Sequence, residues 1–450
     1  MNVADNFKTV NTITALIISA ICLIILIIKE SINSSTKFES TIVGGSHSYN
    51  ENIDRIISGL KRGIPVEKLL PRKLSLESQE KFSKYFQQYY SDEKKKPTIT
   101  YNDISNTIKY VKNTNMPTIN VHMGQRKLFL SELQFLTEYT LPNVKYTVVY
   151  AGAAPGIHTK FLASLFPNIK FILIDPSIFS IKANYLQTKN GPLMDDTRSL
   201  DIVTKAMEGS DQIYIINDLF TITMASNFSM YKVLFISDIR TNLDTNEFPS
   251  NLDIVWNYSQ QFNWIKAMNP IMSMMKFRHP FYTNESLLNI PAFIQEEFDL
   301  SKKYNIDFLE NLKNKKLVFF DGIINLQAFP GKVSTETRLI TDGKKVVDYG
   351  GPEEYEAKFF YYNRIDRGFI KHENDNADRS LGFDYCNDCA IENHIWKKYI
   401  SVYDNKLKVK DMVAKLCKNS NGTLKQSGHG NFFTKHNLFV LLNRRTYAKH

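Results

Sequence analysis

The chain is poor in cysteine, with four in 450 residues. Cys22, Cys386, Cys389 and Cys417 are too few and too unevenly spaced to frame a disulfide scaffold, so a reducing compartment is the expected setting. A lone CxxC, Cys386-Asn-Asp-Cys389, lacks a second paired half. His394 and Cys417 follow at spacings that fit no common zinc module, and no metal site is expected. There is no internal repeat. There is also no GxGxxG fingerprint and no Walker lysine, which disfavours NAD and nucleoside triphosphates as ligands.

Long uncharged apolar runs are scarce, with one exception. Val10–Ile28 is nineteen residues without a charge, dense in Ile and Leu, and closed by Lys29. At about 1.5 Å per residue it nearly crosses a hydrocarbon core of about 30 Å. A cleaved signal peptide, a buried core helix and a dimerising helix are the competing readings. No small-residue cleavage site follows Ile28, and the run lacks a polar face, so a membrane anchor over residues 1–30 is the expectation. Residues 31–50, rich in Ser, Thr, Asn and Gly, read as a tether. Residues 51–120 read as a helical extension, with Ile56, Ile57 and Leu60, and later Phe82, Tyr85, Phe86 and Tyr89, at helical spacing.

What the chain has in excess is positive charge, a formal +10. That suits a polyanionic partner, although the abundance of Asn, Lys, Ile and Tyr also fits an AT-rich coding bias. The most informative stretch is Thr147–Pro176. A short β-rich run, Thr147–Tyr150, breaks into a turn at Gly152 and Gly156. A helical pattern follows through His158, Phe161, Leu162 and Leu165, and a second buried strand, Phe171–Ile174, ends in Asp175. Strand, glycine turn, helix, strand, acid is the order of a nucleotide-binding β-α-β unit. The GxxPG spacing favours the adenosyl part of S-adenosylmethionine, with Asp175 accepting from ribose hydroxyls.

Amphipathic Lys127–Tyr139 precedes this unit, with Gly124 and Gln125 at its start. Later β-rich runs, Gln212–Ile216, Val233–Ile236, Lys316–Phe320 and Thr337–Ile340, alternate with helical patterns at Leu252–Met268, Pro291–Lys303 and Pro352–Asp366. The order predicts an α/β fold, a mostly parallel Rossmann-like sheet with helices on both faces over residues 121–450. A further helix is expected at Phe432–Arg444. Three residues stand where chemistry is usual. Asp238 ends the buried strand VLFIS, Lys276 emerges from the apolar run Ile271–Met275, and Glu336 opens a strand. Burial would make the Lys276 amine a base nearer neutrality.

The segments GQRKLFLSELQFL, VVYAGAAPGIHTKFL, FILIDP, FISDIR, NPIMSMMKFRHPF and STETRL occur together in this order. In these the chain resembles the poxvirus family of cap-specific mRNA 2′-O-methyltransferases that double as the small, processivity-conferring subunit of poly(A) polymerase. The resemblance spans roughly residues 121–367. It implies transfer of a methyl group from S-adenosylmethionine to the ribose 2′-hydroxyl of capped mRNA. It also implies a poly(A) polymerase catalytic subunit as partner, and a body facing the cytoplasm, a viral factory or a virion interior. A non-catalytic, RNA-binding polymerase subunit is the alternative.

The resemblance further implies a Lys-Asp-Lys-Glu tetrad at Lys127, Asp238, Lys276 and Glu336. Lys276 would be the base and the two acids would orient it. For the cofactor it implies Gln125, Tyr150, Gly152, Gly156, Asp175 and Ile239, with Phe220 beside the adenine. For the cap and RNA it implies Arg278, Phe281, Arg338 and Glu356, with Tyr101 or Tyr110 contributing. The chain departs from the family pattern at Ser177, Thr283 and Val333.

Overall fold

In a computed structural model of the chain, the described residues are 93–111, 122–186, 196–243, 249–281, 290–331, 333–368, 370–374 and 386–419. All fall within one compact unit, Tyr49–His450. The hydrophobic run 10–28, the tether, the helices expected over residues 52–90, Thr283 and the helix expected at 432–444 lie outside the described residues.

Eight strands form one sheet. In chain order they are β1 (Tyr146–Ala151), β2 (Ile169–Ile174), β3 (Asn184–Tyr185), β4 (Ile213–Ile216), β5 (Val233–Ser237) and β6 (Met272–Phe277), then β8 (Ile323–Asn325) and β9 (Thr337–Thr341). Their spatial order is β3-β4-β2-β1-β5-β6-β9-β8. From β3 to β6 every neighbouring pair is parallel, and β9 runs antiparallel to both β6 and β8. A separate antiparallel pair joins β7 (Val318–Phe320) to β10 (Val346–Asp348).

The central strands are apolar along their whole length. β5 is buried at all five positions, and β1 and β2 bury their last four. A strand with no polar face can be stable only between two layers, and helices supply both. Right-handed crossovers decide which helix goes where. The chain leaves β1 in one direction, through α2 (Thr159–Leu165) to β2. It later crosses back over β1 to reach β5, through α4 (Ile222–Phe228), and continues outward through α5 (Asn251–Met268) to β6. These two directions put α2 on one face and α4 and α5 on the other. α1 (Gly124–Tyr139) and the late α9 (Asn387–Tyr403) pack with α2. α3 (Asp196–Glu208), α6 (Ala292–Lys302) and α7 (Phe308–Lys313) pack around α4 and α5. α8 (Pro352–Tyr361) and α10 (Val409–Asn419) complete the described helices.

Local chemistry marks the boundaries. α5 begins at Ser250, whose hydroxyl accepts from the Asp253 N–H while the Asp253 carboxylate returns to Ser250, a capping box. It ends at Asn269, left-handed at φ 51°, before Pro270. α9 is capped by the buried Cys386 sulfur, which accepts from the Cys389 N–H. The CxxC therefore caps a helix, and the spacing of the motif is that of a capping turn. Residues 93–111 form extended bridges and a single 3₁₀ turn, Tyr101–Asp103. They are tied to the body through Thr98, whose N–H donates to Asn387 and whose hydroxyl donates to Asp366.

One part of the expected fold class is corrected. No described helix is long and apolar enough to cross a membrane, so an N-terminal transmembrane helix is not part of the architecture this structure supports. The longest described helix shows why it is not such a span. α5 carries Asp253, Asn257, Gln261 and Asn263 as buried polar groups, each with a protein partner, an arrangement suited to a protein interior.

Candidate active site

The strand order reverses at β1, where the chain turns to opposite sides of the sheet, and a switch point of this kind places a crevice beyond the carboxyl ends of the flanking strands, here β1 and β5. Gly152 follows β1 with φ 80°. A Cβ there would stand 2.9 Å from the Ile239 nitrogen and 3.1 Å from the Asp238 carbonyl carbon. Glycine is required both for the backbone angle and for the close approach of the two loops. Gly156 is likewise left-handed, at φ 65°. Asp175, past the end of β2, accepts from the Ala154 N–H at 3.2 Å and from the Ser177 N–H at 2.8 Å. Asn217 donates to the Asp175 and Ser177 carbonyls at 2.8 and 3.0 Å and fixes that turn.

On the other side of the crevice the four expected tetrad residues come together from four elements. Lys127, in the first turn of α1, donates to Glu336 at 2.7 Å. Lys276, on β6, stands 3.1 Å from Asp238 at the end of β5. Arg338 joins them from β9. Its guanidinium donates to Asp238 at 2.6 Å, to Gln327 at 3.0 Å, and lies 3.9 Å from Glu336. Lys276 and Arg338 are cross-strand partners, so two cations stand side by side and Asp238 lies against both.

Burial alone would raise both acids. The Lys276 and Arg338 cations outweigh it at Asp238 and hold that carboxyl below its usual range, and Lys127, Lys276 and Arg338 hold Glu336 well below. Lys276 is also shifted down, which for an amine favours the neutral form. Burial lowers its pKa, the two acids resist, and Arg240 and Arg338 add to the lowering. Asp238 shares its charge between Lys276 and a guanidinium that does not release its proton, so the amine is the group that can give one up.

Gln125, in the first turn of α1, meets His158, while the Tyr150 hydroxyl donates to buried Glu132. Phe220 lies in the core, its ring 4.9 Å from Trp264 and 5.6 Å from Phe235. The exposed side chain in the segment after β4 is its neighbour Leu219. Arg338, expected at the cap and RNA, is buried within the charged cluster.

Arg278 and Phe281 do adjoin each other at the surface. The guanidinium lies 5.1 Å over the Phe281 ring, which is 38% exposed. Arg278 Nε and Arg240 Nη2 are both buried without a hydrogen-bond partner. Glu356, on α8, is half-buried, and burial together with Glu353 pushes its carboxyl up. Tyr101 stacks on Tyr355 and Phe359 under Lys358, whereas Tyr110 is half-exposed against Phe360. Val333 is exposed.

The central role of Arg338 is the main residue assignment that sequence reading missed. Strand alternation carried the signal, because Glu336, just before β9, and Arg338 on it are two apart and point to the same side.

Parallel sheet, switch-point crevice and strand-end charges define a doubly wound, Rossmann-like α/β protein. A family model described as "Poly A polymerase regulatory subunit" matches residues 93–287. A Myxoma virus (strain Lausanne) protein is 26% identical over 325 residues, 69% of this chain and 79% of that one. It is named a cap-specific mRNA (nucleoside-2′-O-)-methyltransferase. The Fowlpox virus (strain NVSL) protein of the same name is 26% identical over 306 residues, 64% and 83% of the two chains. The chain is thus similar in sequence to these poxvirus proteins over about two thirds of its length. An apo S-adenosylmethionine-dependent methyltransferase, SibL, also matches, at 9% identity over 63% of this chain and 75% of that one. The TM-score is 0.20.

Proposed function

We propose that this viral protein is a methyltransferase that uses S-adenosylmethionine to methylate the ribose 2′-hydroxyl of the first transcribed nucleotide of capped mRNA. The observation that carries the reading is the meeting of Lys127, Asp238, Lys276 and Glu336 beside the glycine turn. The residues fit a bound adenosyl ligand. Each Asp175 oxygen accepts one backbone N–H and keeps a lone pair for a ribose diol. The Gly152 turn brings the Ile239 main chain to the crevice. When bound, S-adenosylmethionine supplies a methyl group already activated on a sulfonium.

The work left to the protein is to hold the hydroxyl and take its proton. Lys276 accepts that proton as a neutral amine, Asp238 orients the amine, and Lys127 with Glu336 fixes the opposite wall. Alignment of the hydroxyl with the methyl supplies much of the remaining rate. Phe281 and Arg278 offer a flat, cationic surface at the rim suited to a cap base and its phosphates, with Glu356 as the acid. We assign residues 121–450 to the methyltransferase body.

The full chain with labelled S-adenosylmethionine and RNAs differing only at the 5′ end tests the reading. Transfer to capped RNA is expected. Cofactor binding with no transfer to any RNA would refute it, and equal transfer to uncapped RNA would remove the cap from it. The family description of a polymerase regulatory subunit favours a second reading, that of a processivity subunit. Co-purification with a poly(A) polymerase catalytic subunit, and longer tails in its presence, would test that.

A further inference from the structure

Gln125 is held by a buried acid farther along its own helix. Gln125 and Glu132 are seven residues apart on α1 and so share a face. His158, just before α2, bridges them. Its Nε2 is 2.7 Å from Glu132 Oε2 and its Nδ1 is 3.1 Å from Gln125 Oε1. Tyr150, on β1, donates to the other carboxylate oxygen at 2.7 Å. Glu132 is fully buried and His158 and Tyr150 nearly so, whereas Gln125 is partly exposed. The chain of contacts therefore runs outward from the core to the crevice.

The chemistry of these groups leaves little freedom. An ionised carboxylate only accepts, so His158 donates from Nε2, and imidazole and phenol occupy both Glu132 oxygens. The Phe129 ring meets the imidazole edge-on at 6.2 Å and limits its swing. With Nε2 donating to Glu132, the imidazole Nδ1 accepts, so the Gln125 carboxamide turns its NH2 toward Nδ1 and leaves its oxygen for a ligand. Glutamine in a first helical turn has several rotatable bonds, and ordering it during binding would cost affinity. Here the ordering is completed on folding.

We propose that Tyr150, Glu132 and His158 form a positioning chain that fixes the rotamer and amide face of Gln125. In that pose the free carboxamide oxygen is presented to the amino-acid end of S-adenosylmethionine, whose ammonium is the group it can accept from. The inference rests on the cofactor reading above.

Calorimetric titration of the full chain with S-adenosylmethionine and S-adenosylhomocysteine tests it. Gln125→Ala should weaken binding about tenfold, the loss expected for one hydrogen bond to a charged group. His158→Ala should weaken it by a similar factor, and the double variant should bind no worse than either single one. His158→Asn, which keeps a polar atom near the Nδ1 position, should recover part of the loss. Should His158→Ala fail to fold, Tyr150→Phe carries the cycle, with a few-fold loss that vanishes in the Gln125→Ala background. Unchanged binding on loss of His158, or additive losses, would overturn the positioning chain alone. A wild-type chain that binds neither ligand would overturn the methyl-donor reading along with it.

Discussion

Arg126 and Lys127 are adjacent in sequence and successive on one helix, yet they enter two different kinds of charge cluster. One helical step rotates a side chain by about 100°, so the two point to different sides of α1. Arg126 is fully buried on Glu392, a carboxylate that also accepts from Trp396, and both partners are 0% exposed. Arg367 makes a similar sealed pair with Asp388 at the N-terminal end of the same helix, α9. Among the described residues, each of these ion pairs joins one cation to one acid.

Lys127 enters the other kind. Among the described residues, the ion pairs of Lys127, Lys276 and Arg338 are with Asp238 and Glu336, three cations to two acids, and Arg240 adds further positive charge nearby. Its lysines and acids are 13% to 21% exposed. A balanced, sealed pair has nothing further to do and serves the fold. An unbalanced, open cluster perturbs the groups within it and is where chemistry is expected.

Breaking each cluster should therefore give opposite phenotypes. The largest effect on rate is expected from Lys276→Ala, a fall in methyl transfer of about 10²- to 10⁴-fold. Melting temperature and cofactor affinity should stay near wild type, and substantial residual turnover would refute its role as the base. Glu392→Ala should do the reverse. It leaves Arg126 buried and unpaired, costing about 3–5 kcal/mol of stability. Denaturant titration would read the loss, with turnover per folded molecule unchanged. An activity loss in the remaining folded fraction would erase the distinction between the clusters.

A pH profile sharpens the comparison. The working form of Lys276 is neutral and its pKa is lowered, so the rate should rise with pH through a limb lying below the ordinary lysine value of 10.5. Arg338 contributes to that lowering, so Arg338→Met should move the limb to higher pH. An unmoved limb would show that Arg338 does not tune the amine.

The smallest effect concerns acid stability. Asp238 and Glu336 are held below their ordinary values of 3.8 and 4.5. The stability they contribute is present above those values and is lost as pH falls through the lowered ones. Glu336→Gln should flatten that acid limb slightly, measured as melting temperature against pH.

Much of this organisation was legible before the fold was known. The runs at Val233–Ile236 and Thr337–Ile340 matched strands to within a residue, because buried strands are short, β-rich and bounded by turns. The glycine turn could be read from residue type, since few other residues tolerate φ near +80°. The late helices α9 and α10 were not legible. α9 buries polar Asn387, Asp388, Glu392 and Asn393, so its hydrophobic period is broken and only its partners on other elements account for it. Phe220 shows the same limit. An aromatic residue next to an exposed Leu219 gives no local sign of which one faces the core.

The sequence by itself determined the element order, the glycine turn and the residue types available for chemistry, because these depend on local conformational preference and hydrophobic period. Only the tertiary structure decided which charges meet. Asp238, Lys276 and Arg338 lie up to 100 residues apart and become neighbours through the β5-β6-β9 order. It also sent Arg126 into the core and Lys127 into the crevice. Coulomb interactions and burial act between groups that packing brings together, and neither is encoded in the spacing of residues along the chain.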